Sequence, residues 1–356
     1  MPGAGRRQDT GPRGPGHRRS RAGYLARESC GSEGPNADAM HSHLMLDGKP
    51  MSHTPSAPGE NGHVPAPPGE NAHAERILAI RRSSSYRQSH VDTDFLARAE
   101  LRPVRLQLEL LKPELIMNEQ GVASTVVVFG GTRVVERAQA ERQLEAAQQA
   151  LAKNPQDPKL QQAVAIAENV VRRAHYYDQA REFGRIVSSQ CQVDHRCDYV
   201  VCTGGGPGIM EAANRGAFDI GAKSIGLNIT LPFEQEPNSY ITPELCFEFK
   251  YFAIRKMHLL MRAKAMVAFP GGFGTMDELF ETLTLIQTRR MQPIPVVLFG
   301  RGYWNRLIDW DLFVTEGMIS PDDLSLISYA ESAQECWRVI EDFYREKPAE
   351  RLPRGQ

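Results

Sequence analysis

Ser124-Thr-Val-Val-Val-Phe-Gly-Gly131, a β-branched run closing on two glycines, sets the terms for the whole chain. Uninterrupted apolar residues that stop at glycine are what a parallel strand buried on both faces requires. The same kind of run recurs along the sequence. Asp198-Tyr-Val-Val-Cys-Thr203 ends in Gly204-Gly-Gly, Lys223-Ser-Ile-Gly-Leu-Asn-Ile229 follows a helical stretch, and Phe247–Phe252 reads as a short strand. Ala265-Met-Val-Ala-Phe269 runs into Pro270, and Ile294-Pro-Val-Val-Leu-Phe299 is the last clear strand. Helices are expected around Arg255–Arg262, from Pro270–Glu278 to about Thr288, and around Tyr303–Val314 and Ala333–Phe343. Strands alternating with helices specify a parallel sheet covered on both faces. The expected fold is therefore α/β, a Rossmann-like doubly wound parallel sheet with ligands outside the carboxyl ends of its strands.

The rest of the chain departs from that plan in two places. Residues 1–75 are dominated by Gly, Pro, Arg, Ser, His and Asn, with near-repeats Pro58-Gly-Glu-Asn-Gly-His63 and Pro68-Gly-Glu-Asn-Ala-His73. So little apolar surface does not offset the entropy of ordering, and a disordered N-terminal tail is expected. Seven arginines against one acid in residues 1–27 invite a transit peptide, but interspersed Gly and Pro prevent the amphipathic helix it needs. A start chosen upstream of Met40, Met45 or Met51 accounts for the tail equally well. Residues 76–120 read as a helical extension, with Phe95, Leu96, Leu101, Leu106, Leu108, Leu110 and Leu111 ahead of Pro113. Residues 121–345 hold the α/β domain, and 346–356 a C-terminal tail. Within the domain, 134–174 reads as an inserted helical hairpin broken at Asn154-Pro-Gln-Asp-Pro158, with Leu144, Ala147 and Leu151 on one face. A separate helix, Tyr176–Ser189, then leads into the second strand.

Composition narrows the function classes. A chain 41 % apolar and 24 % charged is ordinary for a globular protein, and a net charge of −1 gives no electrostatic reason for nucleic acid or an anionic membrane as partner. No apolar run approaches the roughly 20 residues of a membrane span, and no signal-peptide core is visible, so a cytoplasmic location is the default. Cys191, His195 and Cys197 lie close together, but their spacing fits no common zinc pattern and a fourth ligand is not apparent. Reduced thiols are the simpler reading, and no metal is expected.

Two of the strands open into glycine-rich turns that start helices. A helix N-terminus offers unpaired N–H groups and the positive end of its dipole, and glycine lets a phosphate approach the backbone. Two such turns in one sheet can converge on one nucleotide. Neither is a Walker A loop, because no G-K-[ST] follows, and Gly204–Gly208 fails the dinucleotide pattern G-x-G-x-x-G because Ile209 stands where the third glycine belongs. Pro270-Gly-Gly-Phe-Gly-Thr-Met-Asp-Glu278 carries the sharper chemistry. Thr275 and Glu278 also form a T-x-x-E capping box, a purely structural reason for both. Four glycine or proline residues ahead of that cap favour a ligand site.

The segment Pro270–Glu278 resembles the signature of the LONELY GUY (LOG) family, cytokinin riboside 5'-monophosphate phosphoribohydrolases often mislabelled lysine decarboxylases. Gly204-Gly-Gly-Pro-Gly-Ile-Met-Glu211, Leu231-Pro-Phe-Glu-Gln235 and Arg255-Lys256 match as well, so the likeness spans about residues 124–345. The resemblance implies hydrolysis of the N-glycosidic bond of a nucleoside 5'-monophosphate, AMP or N6-prenylated AMP, to free base and ribose 5-phosphate. It implies Glu278 as the catalytic carboxylate, projecting from the first helical turn, where the neighbouring phosphate is expected to raise its pKa, and Arg255 as a nucleotide contact that helps the purine leave. It implies no cofactor, and a homodimer or higher homo-oligomer with the site near the interface.

Gly271, Gly272, Gly274 and Thr275 are the phosphate candidates. Gly204, Gly205, Gly206, Gly130, Thr132 and Arg133 lie at the same sheet edge and are candidates for the rest of the nucleotide. Met210 and Asn228 could line the base pocket or serve as core and turn residues. Lys256 cannot share the direction of Arg255 on a helix and is a secondary ligand at best, while Asp277 is expected to face away. The tail and hairpin 134–174 depart from the short plant-type members. Three other readings remain open at this point: a non-catalytic nucleotide or cofactor carrier, a pyridoxal phosphate decarboxylase, and an interaction protein working through its tail and hairpin. The decarboxylase needs a Schiff-base lysine, and Lys223, Lys250, Lys256 and Lys264 supply no recognisable arrangement.

Overall fold

The computed structural model describes residues 69–193, 196–232 and 236–346. The tail before residue 69, His195, residues 233–235 of the matched loop and the C-terminal tail lie outside them. In chain order the helices are α1 (Glu70–Arg82), α2 (Thr93–Leu96), α3 (Arg102–Glu119), α4 (Arg137–Lys153), α5 (Pro158–Cys191), α6 (Ile209–Phe218), α7 (Phe252–Met261), α8 (Phe273–Gln287), α9 (Arg301–Leu307), α10 (Trp310–Thr315) and α11 (Ala333–Glu346). The main sheet has seven strands: β1 (Thr125–Phe129), β2 (Val200–Thr203), β3 (Ser224–Ile229), β4 (Cys246–Phe249), β5 (Ala263–Ala268), β6 (Val296–Phe299) and β7 (Ile327–Ala330). None of the described helices is long and apolar enough to cross a membrane.

All seven strands run parallel, in the order β4-β3-β2-β1-β5-β6-β7. The chain builds outward from β1 through β2, β3 and β4, then crosses back to β5 and builds the other half. The order therefore reverses between β1 and β5, and the crevice outside their carboxyl ends is where such a sheet takes its ligand. Side chains alternate across the sheet as the strand period demands. Val126 and Val128 pack on one side with Tyr177 and Phe183 of α5, Ile209 of α6 and Trp337 of α11. Val127 and Phe129 pack on the other with Met117 of α3, Leu259 of α7, Leu279 of α8 and Trp304 of α9.

Four local expectations need correction. The stretch Pro158–Cys191 is one helix of 34 residues, where the sequence suggested a break near residue 175. Ala174-His175-Tyr176 contains neither Gly nor Pro, and nothing there stops a helix. The second half of α5 lies directly against α6: the backbone of Ala213 and of Arg181 occupies the places where side chains on Gly184 and Gly216 would stand. Helix α3 runs on past Pro113 to Glu119. Proline removes the N–H that would bond the carbonyl four residues back, and here His258 of α7 takes over, its Nε2 lying 3.3 Å from the Glu109 carbonyl. Ile327–Ala330 adds a seventh strand that the sequence reading missed, a four-residue edge strand of only partial burial. The expected Tyr303–Val314 helix is two, because Asp309 caps α10 by accepting from the Leu312 N–H.

Candidate active site

Three turns meet at the carboxyl ends of β1, β2 and β5. The Gly131 N–H donates to the Pro270 carbonyl at 2.8 Å, and the Ile209 N–H donates to the Gly131 carbonyl at 3.3 Å. The turn after β1 thus sits between the two glycine-rich entrances. Gly130 is there because the Ile209 side chain would stand 2.6 Å from any Cβ. Thr132 and Arg133 follow on the exposed rim, and Arg133 forms no ion pair among the described residues.

The entrance after β2 is held rigidly. Gly205 has φ +74, and Asn228 of β3 fills the space a side chain would need. Thr203 Oγ1 accepts from the Gly205 N–H at 3.0 Å and donates to Asn214 Oδ1 of α6 at 2.8 Å. Asn238 Nδ2 lies within 3.2 Å of the carbonyls of Gly205 and Gly206 and 3.0 Å from Asn214 Oδ1. Sequence reading missed Asn238, Thr203 and Asn214. Asn238, directly after Pro237, was the available signal, since Asn side chains bond backbone at turns. Met210 packs beside Gly204, its Sδ 3.0 Å from where a Cβ would be, and belongs to the core beneath the turn.

At the entrance after β5 the glycines have different reasons. Gly271 lies against the Thr275 side chain. A Cβ on Gly272 or Gly274 would meet nothing within 4 Å, and neither residue has a positive φ, so neither packing nor conformation demands glycine there. Open glycines at a helix start leave the backbone accessible to a ligand. Gly272 is the N-cap of α8 and offers no side chain to it, and the first bond inside the helix is Met276 N–H to Gly272. The N–H groups of Phe273, Gly274 and Thr275 are therefore the orphan donors of this end. Phe273 is 96 % exposed beside them.

The expected capping box does not form. With Gly272 as N-cap, Thr275 and Glu278 both lie inside α8, and Glu278 is in its second turn rather than its first. Its structural explanation is thereby removed. Glu278 is 4 % exposed, and its carboxylate accepts no hydrogen bond from the described residues. Its nearest opposite charge is Arg255 of α7, with Nη1 3.7 Å from Oε1. Burial pushes the Glu278 carboxyl up to about 7, outweighing the pull of Arg255 and Lys256. Arg255 is buried as well, which lowers its pKa, and its Nε donates to the Leu227 carbonyl at 2.7 Å. Its Nη2 would touch a side chain on Gly204, so this guanidinium links the two glycine-rich entrances. Lys256 turns elsewhere: its Nζ lies 2.9 Å from both Asp277 and Glu281 and ties α7 to the outer side of α8.

The chain is similar to several known proteins. Residues 210–340 match a family model described as "Possible lysine decarboxylase". Cytokinin riboside 5'-monophosphate phosphoribohydrolase LOG1 of Arabidopsis thaliana is 34 % identical over 176 residues, covering 48 % of this chain and 78 % of the relative. LOG3 of the same plant is 30 % identical over 177 residues, 48 % and 77 % of the two chains. The X-ray structure of a structural-genomics target, TM1055, is 20 % identical with a TM-score of 0.37, covering 62 % of this chain and 99 % of its own. With its signature turn, its buried Glu278–Arg255 pair and these relatives, the chain belongs to the LONELY GUY family of cytokinin riboside 5'-monophosphate phosphoribohydrolases.

Proposed function

We propose that this chain hydrolyses the N-glycosidic bond of a nucleoside 5'-monophosphate, AMP or N6-prenylated AMP, releasing the free base and ribose 5-phosphate. The observation that carries this reading is the buried Glu278 carboxylate, without a hydrogen bond from the described residues, one helical turn and a half beyond the open glycines. Six residues of helix span about 9 Å, room for a ribose between a phosphate at the helix start and a carboxylate in its second turn. The orphan N–H groups of α8 take the phosphate, with Gly271, Gly272, Gly274 and Thr275 around it. Gly204–Gly206, Gly130, Thr132, Arg133 and Asn228 surround the rest of the nucleotide, with Met210 in the core beneath them.

Cleaving the bond passes through an oxocarbenium-like state. An ionised Glu278 stabilises that charge and takes a proton from the attacking water, and a pKa near neutrality is what a general base at work around pH 7 needs. Water adds to the anomeric carbon, the electron pair of the broken C–N bond leaves with the base, and a proton returns to that base. Arg255 supports the departing purine. No cofactor enters this scheme. The decarboxylase description fits less well, because Lys223 bonds Gln120, Lys256 is held by Asp277 and Glu281, and Lys264 pairs with Asp198.

The exposed apolar side chains Phe252, Met257 and Met261 of α7 and Phe273 and Phe280 of α8 support a homodimer or larger homo-oligomer closing near the site. Sedimentation of the pure protein measures that. The free thiols of Cys191, Cys197, Cys202, Cys246 and Cys336 suit a reducing compartment such as the cytoplasm. Incubation with AMP, GMP, CMP, UMP, IMP and N6-prenylated AMP, followed by chromatography, tests the reaction. Adenine or its prenylated form should appear; binding without base release would favour a carrier, and neither binding nor release would sink the reading.

A further inference from the structure

The turn that opens α8 has each of its carbonyls engaged, and one of the donors comes from far outside it. The Pro270 carbonyl accepts from the Gly131 N–H at 2.8 Å, and the Gly272 carbonyl accepts from the Met276 N–H at 3.1 Å. Between them, the Gly271 carbonyl accepts from the hydroxyl of Tyr303 at 2.6 Å, a residue of α9, 32 positions along the chain. In a trans peptide the C=O and the following N–H point in opposite directions. Holding the Gly271 carbonyl against Tyr303 therefore turns the Gly272 N–H to the other side. That N–H has no acceptor among the described residues, and a Cβ on Gly272 would face open space.

Tyr303 is itself fixed. Gly300 starts α9 with φ +82, and its carbonyl accepts the Tyr303 N–H at 3.0 Å. Tyr176 of α5 stands over Gly300, its hydroxyl 2.8 Å from where a Cβ would lie. The Tyr303 ring packs edge-on against the fully buried Trp304, whose Nε1 donates to the Phe299 carbonyl at 2.9 Å. The hydroxyl is thus presented to the turn from a preorganised support, as a binding site requires.

We propose that Tyr303 is a positioning residue for the phosphate: its hydroxyl sets the Gly271–Gly272 peptide with the N–H aimed into the cradle, and a 5'-phosphoryl group binds through that N–H. The inference rests on the phosphate-binding reading of this turn. It assigns Tyr303 a part in recognising the phosphate and none in breaking the glycosidic bond.

Tyr303→Phe removes the hydroxyl alone. Ribose 5-phosphate and adenosine serve as probes in titration calorimetry, with AMP kinetics alongside. Loss of one neutral hydrogen bond weakens ribose 5-phosphate binding by roughly five- to tenfold and raises KM for AMP by as much. The kcat stays within about twofold and adenosine affinity does not change, while Tm falls by a few degrees at most. Tyr329→Phe deletes a comparable bond to Asn305 on the same helix, 2.9 Å long, without touching the turn, and leaves ribose 5-phosphate affinity unchanged. Equal affinity for ribose 5-phosphate in wild type and Tyr303→Phe overturns the proposal, as does an equal loss in Tyr329→Phe or a parallel loss of adenosine affinity. Wild type that fails to bind ribose 5-phosphate at all is a different failure: it removes the phosphate cradle, and the role of Tyr303 with it.

Discussion

Glutamine in place of Glu278 keeps the volume of the side chain and removes its ionisation, which allows the cost of burying this carboxylate to be measured. Burial lifts the group from 4.5 to about 7. At 1.36 kcal/mol per pH unit the difference amounts to about 3 kcal/mol. An acid whose folded pKa is raised binds more protons folded than unfolded between those two values. Its favourable contribution is complete below about pH 4.5 and is lost as the pH rises through about 7. Glu278→Gln suffers no such loss. Guanidinium denaturation of both proteins at pH 5 and pH 8.5 gives the comparison. The variant should gain roughly 2–3 kcal/mol on wild type between the two, seen as a shift in midpoint with little change in slope. The same variant should lose activity by about a hundredfold or more, the usual contribution of a general base. Stability gained where activity is lost is the signature of a strained functional group. Parallel pH dependence in the two proteins, or a wild type that is the more stable at pH 8.5, would refute the reasoning.

The base role also fixes a pH profile: kcat for AMP should fall about tenfold per unit below pH 7 and level off above it, and an acid limb near 4.5 would contradict it. Gly274→Ala places a methyl where the protein has nothing within 4 Å, in a helix that prefers alanine by roughly 0.5–1 kcal/mol. Its Tm should hold or rise while KM for AMP rises at least about tenfold, and an unchanged KM would mean that the phosphate lies elsewhere. Asn238→Ala frees the carbonyls of Gly205 and Gly206 and should cost about 1–3 kcal/mol in denaturation, with KM rising more than kcat falls.

Much of the sheet was legible because short β-branched apolar runs closed by glycine or proline mark buried parallel strands. Val126–Val128 and Val296–Leu298 could hardly be anything else, and the glycines closing them located the crevice. Ile327–Ala330 was illegible because an edge strand four residues long, with Ser and Tyr in it, needs no such run. The continuity of the long helix α5 was illegible because the Ala/Gln-rich pattern of an exposed hairpin changes near residue 175 to the apolar pattern of a buried helix, although its backbone continues. At the site, Gly271–Glu278 and Arg255 stood out from the sequence, but the reason for Glu278 did not. T-x-x-E is compatible with a cap, and only the placement of Gly272 at the helix start, three residues earlier, shows that the capping box is not made. Asn238 and Tyr303 act through contacts with glycine carbonyls 33 and 32 positions away, a separation that local pattern does not encode.

The central claim is that Glu278 acts on a nucleotide held by its phosphate. Single-turnover reaction of excess protein with AMP, with bound nucleotide and released adenine followed in the same sample, tests it most directly. Wild type should convert bound AMP to adenine and ribose 5-phosphate in equal amounts, while Glu278→Gln binds AMP as tightly and releases adenine at least about a hundredfold more slowly. A Glu278→Gln protein that releases adenine at the wild-type rate would contradict the account.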